Sequence, residues 1–336
     1  MNFSELVAAI AESTGLPPEV VRKISRSMLS NLAKLVEEQQ DFRSPILVLR
    51  GATGQLILKN TALPTELQLE GGRLFRPTFP AQPAGKHQAV FVLGMKKCGS
   101  SLFNTIVQRL CAANGAGYLS LPDQSFQQNF HFVQLGTSPA FASLFRDGWI
   151  YGGFRQLPPF LSELGFFQKR PKLLLVRDPR DALVSEYFSV AFSHSLPPAS
   201  TAADGGVREG LLRRREAALE QTVDAFALQS SRSYARQLQP LLSLKDDPLL
   251  TVYRYEDVVL DKRPWITDLA KRLNLALPQP LLESILTAVD VVPSEERPTA
   301  FVRRVVPGDH LEKLAPATIE ELNSRFSEFL HAFGYI

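Results

Sequence analysis

The chain has 336 residues, a formal net charge of +3, and 45% hydrophobic against 21% charged residues. That fits one large globular α/β domain with a small companion, and the modest net charge excludes bulk polyanion binding, so any anion site must be local. Two cysteines, Cys98 and Cys111, exclude a disulfide framework or a cysteine metal cluster. No apolar run approaches the roughly 18–20 residues of a membrane span. The opening MNFSELVAAIAES carries acids and no basic leader. A cytoplasmic protein without a signal peptide or membrane span is expected.

Residues 1–40 read as two helices. Ser4 caps the first and Thr14-Gly15 ends it. Pro17-Pro18 starts the second, with Val20, Val21, Ile24, Met28, Leu29, Leu32, Leu35 and Val36 on one face. The runs Ile46–Leu49 and Gln55–Leu58, separated by Gly51-Ala52-Thr53-Gly54, predict a hairpin. The order helix, TGLP turn, longer helix, hairpin, with Ser4-Glu5-Leu6-Val7, Ala11-Glu12 and Thr14-Gly15-Leu16, resembles the start of HU-type bacterial DNA-binding proteins. That resemblance implies a homodimer. The stretch has no basic arm to grip DNA, so a small α+β docking or dimerisation domain over 1–62 is expected, with nucleic acid not a partner. Residues 63–87, rich in Pro and Gly, read as a linker.

The main domain, 88–336, opens on the pattern around which the rest is organised. Val90–Leu93 is a short apolar run of the buried-strand type. Gly94–Gly99 is a tight turn. Ser100 and Ser101 then begin a helix with Leu102, Phe103, Ile106, Val107 and Leu110 at helical spacing. Strand, glycine turn and helix make a phosphate cradle, because the free amides and the dipole at the helix N-terminus favour an anion. The spacing Gly94-x4-Gly99 approaches the G-x-x-x-x-G-K-[ST] nucleotide loop. Ser100 stands at the lysine position, however, and Lys96 and Lys97 lie within the turn. The plain alternative is an αβ turn with two solvated lysines.

Tyr118-Leu119-Ser120 and Trp149–Gly153 read as short strands, and the aromatic-rich Pro122–Gly148 between them walls a pocket or packs. Lys172–Arg177 is a strand that runs into Asp178-Pro179, a cap and first helical turn. Arg177 and Ser185 bracket that turn and can reach one anion at the carboxyl edge of a sheet. For Arg177 the alternative is an ion pair with Asp178 or Asp181. His194–Gly210 reads as a candidate lid. Leu211–Leu244 is helical, and its Arg213–Arg215 cluster reads as a solvated face. Leu249–Tyr255 is a strand, Pro264–Leu273 and Leu281–Val289 are helices, Arg303–Asp309 is a basic loop, and Ala317–Phe333 is the last helix.

From about residue 88 onward these pieces resemble the sulfotransferases that use 3′-phosphoadenosine 5′-phosphosulfate (PAPS). Lys97-Cys98-Gly99-Ser100-Ser101-Leu102 is similar to the family's PKSGTTW loop. Arg177 to Ser185 has the spacing of its 3′-phosphate motif. Tyr255-Glu256-Asp257 matches its Tyr-Glu-Asp turn, and Phe301–Asp309 resembles F-x-R-K-G-x-x-G-D. The resemblance implies a P-loop nucleotide-kinase-like three-layer α/β fold with a central parallel sheet. It implies PAPS as donor and in-line sulfuryl transfer to a hydroxyl or amine of a small-molecule, carbohydrate or lipid acceptor, without a metal. Under it, Lys97 is catalytic and stabilises the leaving oxygen. Cys98, Gly99, Ser100, Ser101 and Leu102 bind the 5′ group with Lys97. Arg177, Ser185, Arg303 and Arg304 hold the 3′-phosphate, and Tyr255 lies near the adenine.

Three positions depart from the pattern. Leu102 replaces an adenine-stacking tryptophan, for which Phe103 is the substitute to look for. Val305 replaces a glycine. The Lys-Thr-His element that carries the base is missing, and Tyr151-Gly-Gly-Phe154-Arg155 stands there instead. His194 is the first candidate for the base, with His131 and Asp123 behind it. The rival readings are a non-catalytic nucleotide-binding or DNA-associated regulator on the same fold, and a kinase-like phosphotransferase, against which the missing loop lysine argues.

Overall fold

The computed structural model describes residues 17–37, 42–43, 47–50, 55–58, 63–80, 87–197 and 207–336. The first expected helix, the three HU-like matches within residues 4–16 and most of the expected lid (198–206) lie outside the described residues. The chain divides into two compact units, Met1–Leu63 and Pro64–Ile336.

In the first unit, helix α1 (Pro18–Glu37) begins where Pro17-Pro18 predicts. Strands β1 (Phe42–Arg43), β2 (Leu47–Arg50) and β3 (Gln55–Leu58) form an antiparallel sheet in the order β1-β2-β3. Leu49 is opposite Phe42 on one side and Leu56 on the other.

The second unit opens with a two-stranded ribbon, β4 (Leu67–Gln68) and β5 (Leu74–Phe75), inside the breaker-rich stretch read as a linker. Leu67 and Phe75 are fully buried. The amides of Gln124 and Gln128 exchange hydrogen bonds with the backbone of Thr78 and Arg76.

Five parallel strands follow: β6 (Val90–Gly94), β7 (Gly117–Leu119), β8 (Trp149–Phe154), β9 (Lys172–Val176) and β10 (Leu250–Arg254). Their spatial order is β10-β9-β6-β8-β7. Strands β6, β8 and β9 are buried at every residue, which is why they read as continuous apolar runs. After β6 the chain crosses through α2 (Ser100–Ala113) to the edge strand β7. After β9 it crosses through α6 (Pro179–Phe188) toward β10 on the other side. Strands β6 and β9 are neighbours, with Gly94 opposite Leu175. The sheet order therefore reverses between them, and a crevice opens at their carboxyl ends.

Between β7 and β9 lie the short helices α3 (Leu121–Gln127), α4 (Pro159–Ser162) and α5 (Gly165–Gln168). Phe132, Phe141, Phe145 and Phe154 pack on one another, with ring centres 5.1–6.2 Å apart, and are buried. Of the two alternatives for this aromatic segment, packing is the one realised for these four rings. Beyond β9 come α7 (Val207–Leu219), α8 (Val223–Leu242), α9 (Tyr255–Val258), α10 (Lys262–Arg272), α11 (Gln279–Val289), α12 (Asp309–Lys313), α13 (Pro316–Arg325) and α14 (Ser327–Ala332). The expected helix over 211–244 is two helices, with Thr222 capping the second through the Ala225 amide.

Candidate active site

The turn after β6 is built from backbone that most residues avoid. Lys97 adopts φ 62° and Gly99 φ 87°, both left-handed. Glycine suits position 99, because the left-handed φ strains other residues and a Cβ there would crowd the Tyr255 ring at 3.0 Å. The Cys98 thiol turns inward, fully buried, toward Gly94. Burial pushes its pKa up to about 12, so the thiol is not a nucleophile at ordinary pH. Helix α2 then begins, and Phe103 donates its amide to the Gly99 carbonyl at 3.0 Å. The amides of Gly99, Ser100, Ser101 and Leu102 make no hydrogen bond among the described residues. Four free donors at a helix N-terminus form an anion cradle.

Arg177 leaves the end of β9 beside this cradle. Its Nη1 donates to the Lys97 carbonyl at 3.1 Å, and its guanidinium lies 4.4 Å from the centre of the Tyr255 ring. Nη2 is 3.8 Å from Asp181, so the ion-pair alternative is realised loosely. Buried Arg177 Nε has no partner among the described residues. Asp178 caps α6 through the Arg180 amide at 2.9 Å, as its sequence position predicts. Ser185 is half-buried, two helical turns along.

The loop 301–309 closes the third side. Asp181 fastens it, accepting from the amides of Gly308 (2.7 Å) and His310 (2.9 Å) and from His310 Nδ1 (2.6 Å). The buried Arg303 guanidinium sits 4.1 Å over the Phe188 ring and pairs with Glu296 and Asp309. Arg304 turns to Glu312 at 2.5 Å. Tyr255, itself buried, donates its hydroxyl to the Val305 carbonyl at 3.1 Å. Tyr255 thus clamps Gly99, Arg177 and the 301–309 loop together, a tie supplied by the position where glycine was expected. Glu256 accepts from the Asp178 amide and the Tyr335 hydroxyl, both at 2.9 Å. Phe103 is no substitute for a stacking tryptophan: it is buried against Tyr253 and Trp265, because the helical face it occupies points to the core.

A family model described as a sulfotransferase domain matches residues 157–334, more than half of the chain. The chain belongs to the sulfotransferase family. The match begins after the turn Gly94–Gly99, helix α2 and strand β8. Among solved structures, mouse sulfotransferase SULT7A1 complexed with PAP is 12% identical. It has a TM-score of 0.48 and covers 79% of this chain and 94% of that one. Retinol dehydratase in complex with androsterone and inactive cofactor PAP is 13% identical with a TM-score of 0.40, covering 89% of this chain and 94% of that one. No curated protein matches the sequence.

In this sulfotransferase the cradle is electropositive and poorly solvated. Burial, moderated by the Glu186 carboxylate, lowers the Lys97 pKa to about 8, and the charges of Arg177, Arg155 and Arg303 add to the fall. His194 ends the π-helical turn Ser189–Ser193 that continues α6. Burial, then the charges of Lys97 and Arg155, lower its pKa to about 4, so its imidazole is neutral at ordinary pH. Asp123 is occupied by Arg155 Nη1 at 3.0 Å and the Ser120 hydroxyl at 2.7 Å. His131 has a pKa lowered by burial and by Lys96.

The sequence reading assigned no role to Arg155 or Glu186, which the structure brings within electrostatic reach of Lys97. The signals were there: Arg155 follows the end of a strand and Glu186 follows Ser185. The Arg213–Arg215 cluster is not a wholly solvated face. Arg214 pairs with Glu186 at 3.0 Å, and Arg215 donates to the carbonyls of Val190 and His194, because α7 packs against the turn that carries them.

Proposed function

We propose that the chain is a PAPS-dependent enzyme that moves a sulfuryl group to a hydroxyl or amine acceptor by in-line transfer. The observation that carries this reading is the row of four amides, Gly99 to Leu102, that make no hydrogen bond among the described residues, beside the guanidinium of Arg177. These donors fit the 5′ and 3′ phosphates of the donor nucleotide. PAPS, when bound, supplies the sulfuryl group and departs as adenosine 3′,5′-bisphosphate (PAP).

The amides, with the Ser100 and Ser101 hydroxyls, hold the 5′ group. Arg177, Ser185 and Arg303 take the 3′-phosphate, with Arg303 exchanging its carboxylate partners for phosphate oxygens. Arg304, turned to Glu312, supports that loop from outside. Lys97 places its ammonium on the leaving oxygen, where negative charge develops. Leu102 and Tyr255 line the nucleotide side, Tyr255 through its ring, since its hydroxyl is engaged by Val305. His194, held neutral, is the base that takes the acceptor's proton. Two buried free thiols, Cys98 and Cys111, support a reducing compartment such as the cytoplasm. Among the described residues no helix is long and apolar enough to cross a membrane. A homodimer through residues 1–62, checked by light scattering, belongs to the same reading.

The experiment is calorimetric titration of the full chain with PAP and with ATP, followed by turnover of labelled PAPS against an acceptor panel. Tighter binding of PAP and label transfer are expected. Tighter binding of ATP overturns the reading in favour of a phosphotransferase. PAP binding with no transfer to any acceptor favours a non-catalytic binder.

A further inference from the structure

The Arg303 guanidinium is fully engaged by the protein itself. It is buried, lies 4.1 Å over the Phe188 ring, and donates to two carboxylates, Glu296 through Nη1 and Asp309 through Nη2. Its surroundings are balanced in charge. Three cations, Arg303, Arg304 and Lys313, meet three carboxylates, Glu296, Asp309 and Glu312. A phosphate brought to Arg303 adds negative charge to this neutral and poorly solvated cluster, where like charges repel strongly. For a phosphate oxygen to reach the guanidinium, one of its two carboxylates has to give way.

The two carboxylates differ in how firmly they are placed. Asp309 is the first residue of α12, its side chain is 1% exposed, and it also faces Arg304 at 3.4 Å. Glu296 has a side chain that is 26% exposed, and it belongs to residues 290–308, which form no helix or strand. Within 291–300 one backbone hydrogen bond is found among the described residues, from the Ala300 amide to the Arg297 carbonyl at 2.9 Å. Every residue of that segment except Pro293 and Ala300 is exposed. Glu296 is held through its side chain, by Arg303, by Lys313 at 3.1 Å and more distantly by Arg304 at 3.9 Å. The loop 301–309 does not depend on it, because Asp181 and Tyr255 fasten that loop independently. The carboxylate free to move is therefore that of Glu296.

We propose that Glu296 is a displaceable stand-in for the 3′-phosphate. In the free protein it occupies Arg303 Nη1. A nucleotide's 3′-phosphate monoester takes that position on binding, while Asp309 stays on Nη2 and Glu296 keeps Lys313 as its partner. The carboxylate returns as the nucleotide leaves, so it weakens retention of PAP and speeds its release. This assignment rests on the reading that Arg303 takes the 3′-phosphate.

The test is calorimetric titration and stopped-flow dissociation of the full chain with PAP and with adenosine 5′-phosphate, which lacks the 3′ group. Wild type, Glu296→Gln, Arg303→Gln and the double variant are compared. Glu296→Gln should bind PAP roughly fivefold more tightly, the upper worth of a partly exposed ion pair that no longer has to be broken. The gain should lie in slower dissociation. Affinity for adenosine 5′-phosphate should be unchanged, which also shows that the variant folds. In the Arg303→Gln background the same substitution should give no gain, since the two residues act on one seat. PAP affinity that is unchanged or lower in Glu296→Gln, or an equal gain for both nucleotides, overturns the stand-in and leaves the sulfotransferase reading in place. A wild type that binds PAP no more tightly than adenosine 5′-phosphate overturns the 3′-phosphate seat itself, and the stand-in with it.

Discussion

Lys97 is the residue on which chemistry and folding pull in opposite directions. Burial lowers its pKa from 10.5 to about 8, so the folded state disfavours the charged form. Between pH 8 and 10.5 the unfolded chain binds more protons, and through this residue alone the stability of the free protein rises with pH across that window. A bound anion reverses the preference. PAP binding above pH 8 is therefore expected to take up a proton, to show a heat that depends on the buffer's ionisation enthalpy, and to weaken as pH rises past 8. Lys97→Ala should abolish the buffer dependence and lower turnover by about 10²–10³, the cost of losing one stabilising donor. An unchanged rate would remove Lys97 from the chemistry. For His194, with a pKa lowered to about 4, the base reading predicts an acid limb in kcat/KM below that of an ordinary histidine. His194→Gln should cost roughly 10²–10⁴ in rate and erase that limb. A variant that retains its rate and acid limb shows that the proton goes elsewhere.

At the scale of elements, the decisive tie is between α6 and the loop 301–309. Asp181 accepts three hydrogen bonds from Gly308 and His310. Burial on its own would raise its pKa; the His310 hydrogen bonds and the charge of Arg177 outweigh it and bring the pKa to about 2. The native state prefers the ionised form, so this tie stabilises the fold at pH values above the unfolded value near 3.8 and is lost as pH falls through 2. Asp181→Asn should cost roughly 1–3 kcal/mol at pH 7 in urea unfolding, since buried backbone donors lose their carboxylate. It should also flatten the loss of stability between pH 4 and 2. PAP affinity should fall with it, because Arg303 is carried on the loop that Asp181 holds. A variant with full PAP affinity would show that the loop is held by Tyr255 and Val305 alone.

At the scale of the whole second unit, the site is a seam. The turn 94–99 comes from β6, Arg177 from β9, and Arg303 from beyond α11; they meet because the sheet order reverses at β6 and β9. PAP touching all three should stabilise the unit as a whole. At a hundredfold excess over Kd the gain is about 2.7 kcal/mol, read as a rise in Tm, and no rise would mean that the segments are not bridged. The sequence by itself determined the strands, the glycine turn, the helix starts at Ser100 and Pro179, and the charged residues of the cradle. Those are local matters, set by hydrophobic period, capping and the steric freedom of glycine. Only the tertiary structure decided which face each side chain took. Phe103 went to the core, Cys98 under the turn, and Tyr255 into a clamp, because register on a helix and closure of a loop fix orientation after the fold is made. Arg155, Glu186 and Arg214 gained their place the same way. Each is an unremarkable charge in the sequence, and it acquires meaning from partners far along the chain, brought within Coulomb range by the sheet order and by the packing of α7 on α6.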